Sequence, residues 1–306
     1  MSKTPLITCK NIEKSFNVTE SLFAKKRLSI KALKNVNFKI YPKEVVGLVG
    51  ESGSGKSTLA KIIADIYKPD SGKILYKDKN INEIYQEFRK NVQMVFQDPY
   101  SSLNPKLKII STLKDGVKNY LTKSKVEIEN ICKQLIKSVG LEEDHLYRYP
   151  HQFSGGQRQR ISIARALSTD PELILGDEPV SALDVSVQAE ILNLFKKLNI
   201  EKNKSILLIS HDLAVVYFLC HYVYVIYKGV IVEHGKTDKI IKSPLHPYTK
   251  QLLLSKDLTN FSTHRKIDNT YCPLAEKCPN YSSVCDKELE EIKISDGHFI
   301  KCHNIK

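Results

Sequence analysis

Apolar and polar positions change rhythm along the chain. Near the N-terminus Val36, Phe38 and Ile40 alternate with polar neighbours, the two-residue period of a strand with one solvated face. Antiparallel strands are expected there. Thr19 to Ile30, carrying Lys25, Lys26 and Arg27, reads as a surface loop or hairpin extension. Three later runs do not alternate: Val45-Val46-Gly47-Leu48-Val49, Leu173-Ile174-Leu175 and Ile206-Leu207-Leu208-Ile209. Short, nearly continuous apolar blocks suit strands buried on both faces of a mainly parallel sheet. Each ends in small or polar residues: Gly50-Glu51-Ser52-Gly53, Asp177-Glu178-Pro179 and Ser210-His211-Asp212. Ligands of open α/β sheets sit at the carboxyl ends of strands, so three such ends with phosphate- and metal-type chemistry point to one site.

Between the first two runs, Lys123 to Val139 has helical spacing, with Val126, Ile128, Ile131, Leu135 and Ile136 as the expected buried stripe. Residues 98–155 read as a helical insertion in an α/β core. After Pro244 the pattern dissolves into a tail rich in cysteine. No internal repeat, heptad array or long low-complexity segment interrupts this order.

Composition narrows the class. The chain has 306 residues, 42% hydrophobic and 26% charged, too apolar for wholesale disorder and long enough to bury a core without disulfide staples. The most apolar stretch, Leu213 to Tyr227, has 15 residues and is interrupted by His221, short of the ~20 a spanning helix needs. The N-terminal MSKTPLITCK lacks the apolar core of a signal peptide, so a cytoplasmic location is expected. The net charge of +13 could suit nucleic acid or an anionic membrane. Yet 40 of the 47 basic residues are Lys and only 7 are Arg, the residue that specific phosphate and base recognition favours. The excess therefore reads as solvated surface.

Gly50 to Ser57, GESGSGKS, fits G-x-x-x-x-G-K-[ST] and lies between a buried strand and a helical stretch, Leu59 to Tyr67. Glycines let such a loop turn its N–H groups onto phosphate, and the helix start adds positive potential. Lys56 would reach the β- and γ-phosphates, and the Ser57 hydroxyl would sit on Mg2+. Asp177 can hold that ion through water, and Glu178 can orient or deprotonate the attacking water. Gly176 stands where an apolar strand residue is commoner, and weakens strand packing slightly.

Phe153-Ser154-Gly155-Gly156-Gln157-Arg158-Gln159-Arg160 resembles the signature sequence of ABC-type ATPases. Other landmarks follow in that family's order. Gln97 resembles the Q-loop glutamine, Ser181-Ala182-Leu183-Asp184 the D-loop and His211 the switch histidine. Phe16 is similar to the aromatic residue that stacks on adenine, or else is an ordinary core phenylalanine. The resemblance implies an α/β P-loop ATPase fold with a RecA-like mixed sheet, an antiparallel β subdomain and a helical insertion. It implies a catalytic set of Glu178, His211, Gln97 and Lys56. ATP would meet Phe16, Gly50, Ser52, Gly53, Ser54, Gly55, Lys56, Ser57, Thr58, Gln97 and Asp177. Ser154, Gly155, Gly156 and Gln157 would meet the ATP of a partner, because such subunits pair head to tail around two nucleotides. Mg2+ would fall to Ser57, Gln97 and Asp177.

Tyr149-Pro150-His151-Gln152, Glu178 to Ser186 (EPVSALDVS) and His246-Pro247-Tyr248-Thr249 resemble the ATP-binding subunits of oligopeptide, dipeptide and nickel importers. The extended loop before Lys31-Ala32-Leu33 resembles the second, F-type, of the two ATPase subunits those importers use. The implied partners are a second ATPase subunit, two transmembrane permease subunits and an extracytoplasmic solute-binding protein, at the cytoplasmic face of the membrane and without nucleic acid. Gln97 to Pro105 would dock on the permease, and its two prolines suit an irregular exposed surface rather than a helix. Residues 1–255 are then the cassette and 256–306 a tail.

That tail holds Cys272, Cys278, Cys285 and Cys302, spaced C-x5-C-x6-C-x16-C. The intervals match neither zinc-ribbon pairs nor ferredoxin spacing. The resemblance raises a 4Fe-4S cluster; zinc and plain thiols stay open, while a reducing cytoplasm disfavours disulfides. Among functions, an importer ATPase competes with a soluble ABC ATPase acting on nucleic acid or ribosomes. The latter usually carries two cassettes or an inserted coiled coil, and this chain has one P-loop, one signature and no heptads. A P-loop kinase or GTPase would lack the signature.

Overall fold

The computed structural model describes residues 4–18, 28–120, 124–254 and 271–305. Most of the Thr19 to Ile30 extension, and the start of the tail, lie outside the described residues. The chain folds as two compact units, one of Met1–Ile40, Val46–Asp78 and Ser210–Lys306, the other of Tyr41–Val45 and Lys79–Ile209.

The first unit begins with strands β1 (Ile7–Val18), β2 (Leu28–Ile40) and β3 (Val45–Val49), helix α1 (Lys56–Ile63) and strand β4 (Ser71–Tyr76). β1 pairs antiparallel with β2 and with β4. Val36, Phe38 and Ile40 are buried and Asn35, Asn37 and Lys39 exposed, so the alternation in the sequence is the alternation of the sheet's faces.

The second unit holds β5 (Lys79–Asn80), α2 (Tyr85–Asn91), β6 (Val92–Val95), α3 (Pro99–Ser102), α4 (Ile109–Tyr120), α5 (Lys125–Ser138), α6 (Gly155–Leu167), β7 (Leu173–Asp177), α7 (Val185–Lys202) and β8 (Ser205–Ser210). β6, β7 and β8 run parallel, with Leu173 opposite both Val92 and Ser205. Every residue of β7 and β8 is buried, as continuous apolar runs require. Two expectations need correction here. Ile128, Cys132 and Ile136 form the buried stripe of α5, while Val126, in its first turn, is 71% exposed. Part of the Gln97 to Pro105 segment is helical. Asp98 caps α3 by accepting from the N–H groups of Tyr100 (2.8 Å) and Ser101 (3.3 Å), and Pro99 takes the first helical position, where its missing N–H costs nothing.

The chain then returns to the first unit with α8 (Leu213–Leu219), β9 (Tyr222–Tyr227), β10 (Val230–Lys236), α9 (Thr237–Lys242), α10 (Pro247–Leu253), β11 (Ile292–Ser295) and β12 (His298–Ile300). The apolar stretch from Leu213 is thus a short helix followed by a strand. Among the described residues no helix is long and apolar enough to cross a membrane. β9 runs parallel to β3 and antiparallel to β10. β12 pairs with β10, Glu233 opposite Ile300, so the end of the tail extends the first unit's sheet.

Candidate nucleotide site

The loop between β3 and α1 owes its path to its glycines. Gly55, the residue before α1, has φ +107°, and a Cβ there would lie 2.6 Å from the Ala32 carbonyl oxygen. Only glycine turns the chain into the helix at that point. Among the described residues no side chain caps α1, so the N–H groups of its first turn face the place an anion would take. Lys56 is 4% exposed, and its ammonium donates to the carbonyls of Gly50 (2.8 Å) and Glu51 (2.7 Å). Ser54 is buried with its hydroxyl unpartnered among the described residues. Ser52 and Gly53 are exposed at the loop's tip, and Ser57 and Thr58 are half-buried. A buried cation, an uncapped helix and an orphaned hydroxyl are a donor set suited to phosphate. Phe16, on β1, is half-buried rather than a core residue, with its ring edge-on to Tyr67 at 5.6 Å. His211, just past β8, is exposed, and Asp212 caps α8 through the Ala214 N–H at 2.8 Å.

The second unit carries the carboxylates. Asp177 ends β7 and is 4% exposed. Glu178 follows at φ +46°, a left-handed conformation that costs a non-glycine residue about 1 kcal/mol or more. Its N–H donates to the Ile209 carbonyl (3.1 Å), and its own carbonyl accepts from the Ser181 N–H and hydroxyl. These bonds hold the strained backbone. Its carboxylate accepts from the Gln97 side-chain amide at 3.1 Å, so two expected catalytic residues meet. Gly176 has its reason as well: a Cβ there would press on the Pro179 ring at 3.1 Å.

Ser154 caps α6 with a reciprocal box: its hydroxyl accepts from the Gln157 N–H (3.3 Å), and the Gln157 side-chain oxygen accepts from the Ser154 N–H (3.0 Å). At Gly156 a Cβ would lie 2.4 Å from Val187, so that turn of the signature packs against α7 with no room for a side chain. Arg158 points away from this helix start. It is buried, donates to the Pro150 carbonyl at 2.8 Å, and lies over the Tyr100 ring at 3.8 Å. Sequence reasoning assigned neither Arg158 nor Tyr100 this mutual contact. Nor did it give a role to Tyr248, whose hydroxyl accepts from the Glu51 N–H at 2.8 Å. The only sequence signal for Tyr248 was the HPYT string around it.

The tail cysteines converge in part. Burial, joined by the nearby Cys278, Cys285 and Cys302, pushes the Cys272 thiol up to about 11. Yet among the described residues no group of three or more His, Cys, Asp or Glu side chains has an arrangement that could hold a metal ion, and none of the seven cysteines is in a disulfide.

The model of the ABC transporter family matches residues 33–181. The chain is 41% identical over 287 residues to the oligopeptide transport ATP-binding protein OppF of Bacillus subtilis, covering 92% of each chain. It is 39% identical over 303 residues to the dipeptide transport ATP-binding protein DppF of Lactococcus lactis, covering 96% of this chain and 93% of that one. Among solved structures it resembles the dimeric ATP-binding cassette MJ0796 bound to ADP and Pi in a post-hydrolysis state. The TM-score is 0.65 at 32% identity, over 76% of this chain and 98% of that one. The cbiO1 subunit of a Clostridium perfringens ABC transporter matches with a TM-score of 0.66 at 27% identity, over 79% of this chain and 92% of that one. With a P-loop, a strained glutamate held by Gln97 and a capped signature helix, the chain belongs to the ATPases of the ABC transporter family, among its oligopeptide and dipeptide transport ATP-binding proteins.

Proposed function

We propose that this chain binds and hydrolyses ATP to drive a membrane permease that imports oligopeptides or dipeptides. The relatives' identity across nearly the whole length, tail included, carries this reading. The Gln97–Glu178 contact supports its catalytic part. Lys56 engages the β- and γ-phosphates, and the Gly53, Ser54 and Gly55 peptides line the loop around them. Ser57, Asp177 and Gln97 would hold Mg2+, which would neutralise charge developing on the phosphate oxygens. Glu178 takes the proton of the attacking water, Gln97 holds its carboxylate, and His211 approaches the γ-phosphate. Phe16 stacks on adenine. The Ser154 hydroxyl and the Gly155 and Gly156 peptides, with Gln157 beside them, serve the nucleotide of a paired, non-identical ATPase. The cassette of residues 1–255 works at the cytoplasmic face of the membrane, beside two permease subunits and an external solute-binding protein.

Co-expression with candidate permeases tests this. The wild-type chain is expected to sediment with membranes only when the permeases are present. Glu178→Gln should keep ATP binding and lose turnover about a thousandfold, roughly 4 kcal/mol of barrier. Near-wild-type hydrolysis by that variant sinks the catalytic assignment. Tight, salt-sensitive nucleic-acid binding without membrane association sinks the transport one.

An iron–sulfur cluster on Cys272, Cys278, Cys285 and Cys302 is the finer cofactor proposal, supported by the mutual influence of the thiols and not by ligand geometry. Protein purified without oxygen should carry about four irons per chain and absorb visible light. One bound zinc would replace the cluster with a zinc site, and a colourless, metal-free protein leaves four thiols.

A further inference from the structure

The peptide joining Gly50 to Glu51 is gripped on both edges. Its carbonyl, that of Gly50, accepts from the Lys56 ammonium at 2.8 Å. Its N–H, that of Glu51, donates to the Tyr248 hydroxyl at 2.8 Å. In a trans peptide these two groups point in opposite directions from one rigid plane. Whatever fixes the N–H therefore fixes the carbonyl that holds the lysine.

Tyr248 is well placed to do so. It is fully buried and packs on the Tyr227 ring with centroids 4.4 Å apart. Burial keeps its hydroxyl protonated far above the working pH range. Its own N–H donates to Nδ1 of His246, the residue capping α10, at 3.1 Å. Burial pushes His246 down to about 3, so the ring stays neutral and Nδ1 remains an acceptor.

One carboxylate steadies this support. Glu233, on β10, is fully buried and accepts from the N–H groups of Leu245 (2.9 Å) and His246 (3.0 Å). It also accepts from His298 Nε2, on β12, at 2.7 Å. The C-terminal strand is thus tied through Glu233 to the segment that aims Tyr248. Lys277, also in the tail, acts electrostatically on the Glu51 carboxylate.

We propose that Tyr248 is a positioning residue for nucleotide binding: its hydroxyl locks the Gly50–Glu51 peptide so that Lys56 is held ready for phosphate, with Glu233 and His298 bracing it from the C-terminal segment. This rests on the reading of the loop as the ATP site. Without the hydroxyl the Glu51 N–H is left without its partner, the peptide is held from one edge only, and one of the two carbonyls that hold the lysine is no longer fixed.

The test uses the full-length chain. Tyr248→Phe removes one oxygen and keeps the ring. It should raise the KM for ATP and weaken binding of a fluorescent ATP analogue about tenfold, with kcat at saturating ATP within about twofold. A packing role alone would lower the active fraction, and hence apparent kcat, at unchanged KM. His298→Phe, which releases the brace, should shift KM the same way by a smaller factor. In a Lys56→Ala background, Tyr248→Phe should weaken binding no further, because the two groups act on one peptide. A wild-type KM for Tyr248→Phe, or additive losses in the double variant, overturns the proposal. Failure of the underlying site is distinct: Lys56→Ala alone would then bind the analogue like wild type.

Discussion

Two helices of this chain start in runs of glycine and serine, and they are finished differently. α1 begins after Gly55 with no side-chain cap among the described residues, and its first residue is the buried Lys56. α6 begins after Ser154 with both bonds of a capping box formed. The first cation along it, Arg158, is turned onto the Pro150 carbonyl and the Tyr100 ring. An anion reaching α1 finds a charge at the helix start and displaces no side-chain cap. One reaching α6 finds no cation at the first helical residue and the Gln157 N–H already spent on the Ser154 oxygen, while the Ser154 proton remains to donate. Affinity therefore belongs to the first helix start. The second offers an oriented hydroxyl, and so a test of geometry rather than a source of binding energy.

The largest effect expected from this contrast is at Lys56. Charged hydrogen bonds are worth about two to three times neutral ones, so Lys56→Ala should weaken ATP binding by the isolated chain about a hundredfold, read by titration with a fluorescent analogue. A loss of less than about threefold would erase the difference between the two starts.

How much of this the sequence discloses depends on how local the cause is. β3, β7 and β8 were legible because a strand buried on both faces must be apolar at every position, and the residues at their ends lie next to them in sequence. The strained φ of Glu178 was not legible, since bonds to Ile209 and Ser181 hold it. Val126 was misplaced because it looks apolar in the right register, yet it falls in the exposed first turn of α5, while Cys132 takes the buried position. The tail shows the limit best. β12 is three residues long and owes its place to pairing with β10 and to a buried Glu233–His298 bond. Glu ordinarily reads as surface, and His is no marker of a core. The contact between Tyr248 and Glu51 spans 197 positions, and no spacing rule reaches that far.

The smallest effect, and the sharpest on the comparison, is at Ser154. Losing an N-cap costs about 1 kcal/mol, so Ser154→Ala should lower the melting temperature by roughly 2 °C. ATP binding by the isolated chain should stay within about twofold, because the P-loop donors are untouched. Turnover by the assembled transporter should fall about tenfold or more, since there the hydroxyl would face the partner's nucleotide. Gln157→Ala breaks the box from its other side but leaves the hydroxyl. It should reproduce the melting shift with a smaller loss of turnover. If Ser154→Ala instead weakened ATP binding by the isolated chain as much as Lys56→Ala does, both helix starts would be acting on one nucleotide within a single chain. The division between binding and geometry would then fall.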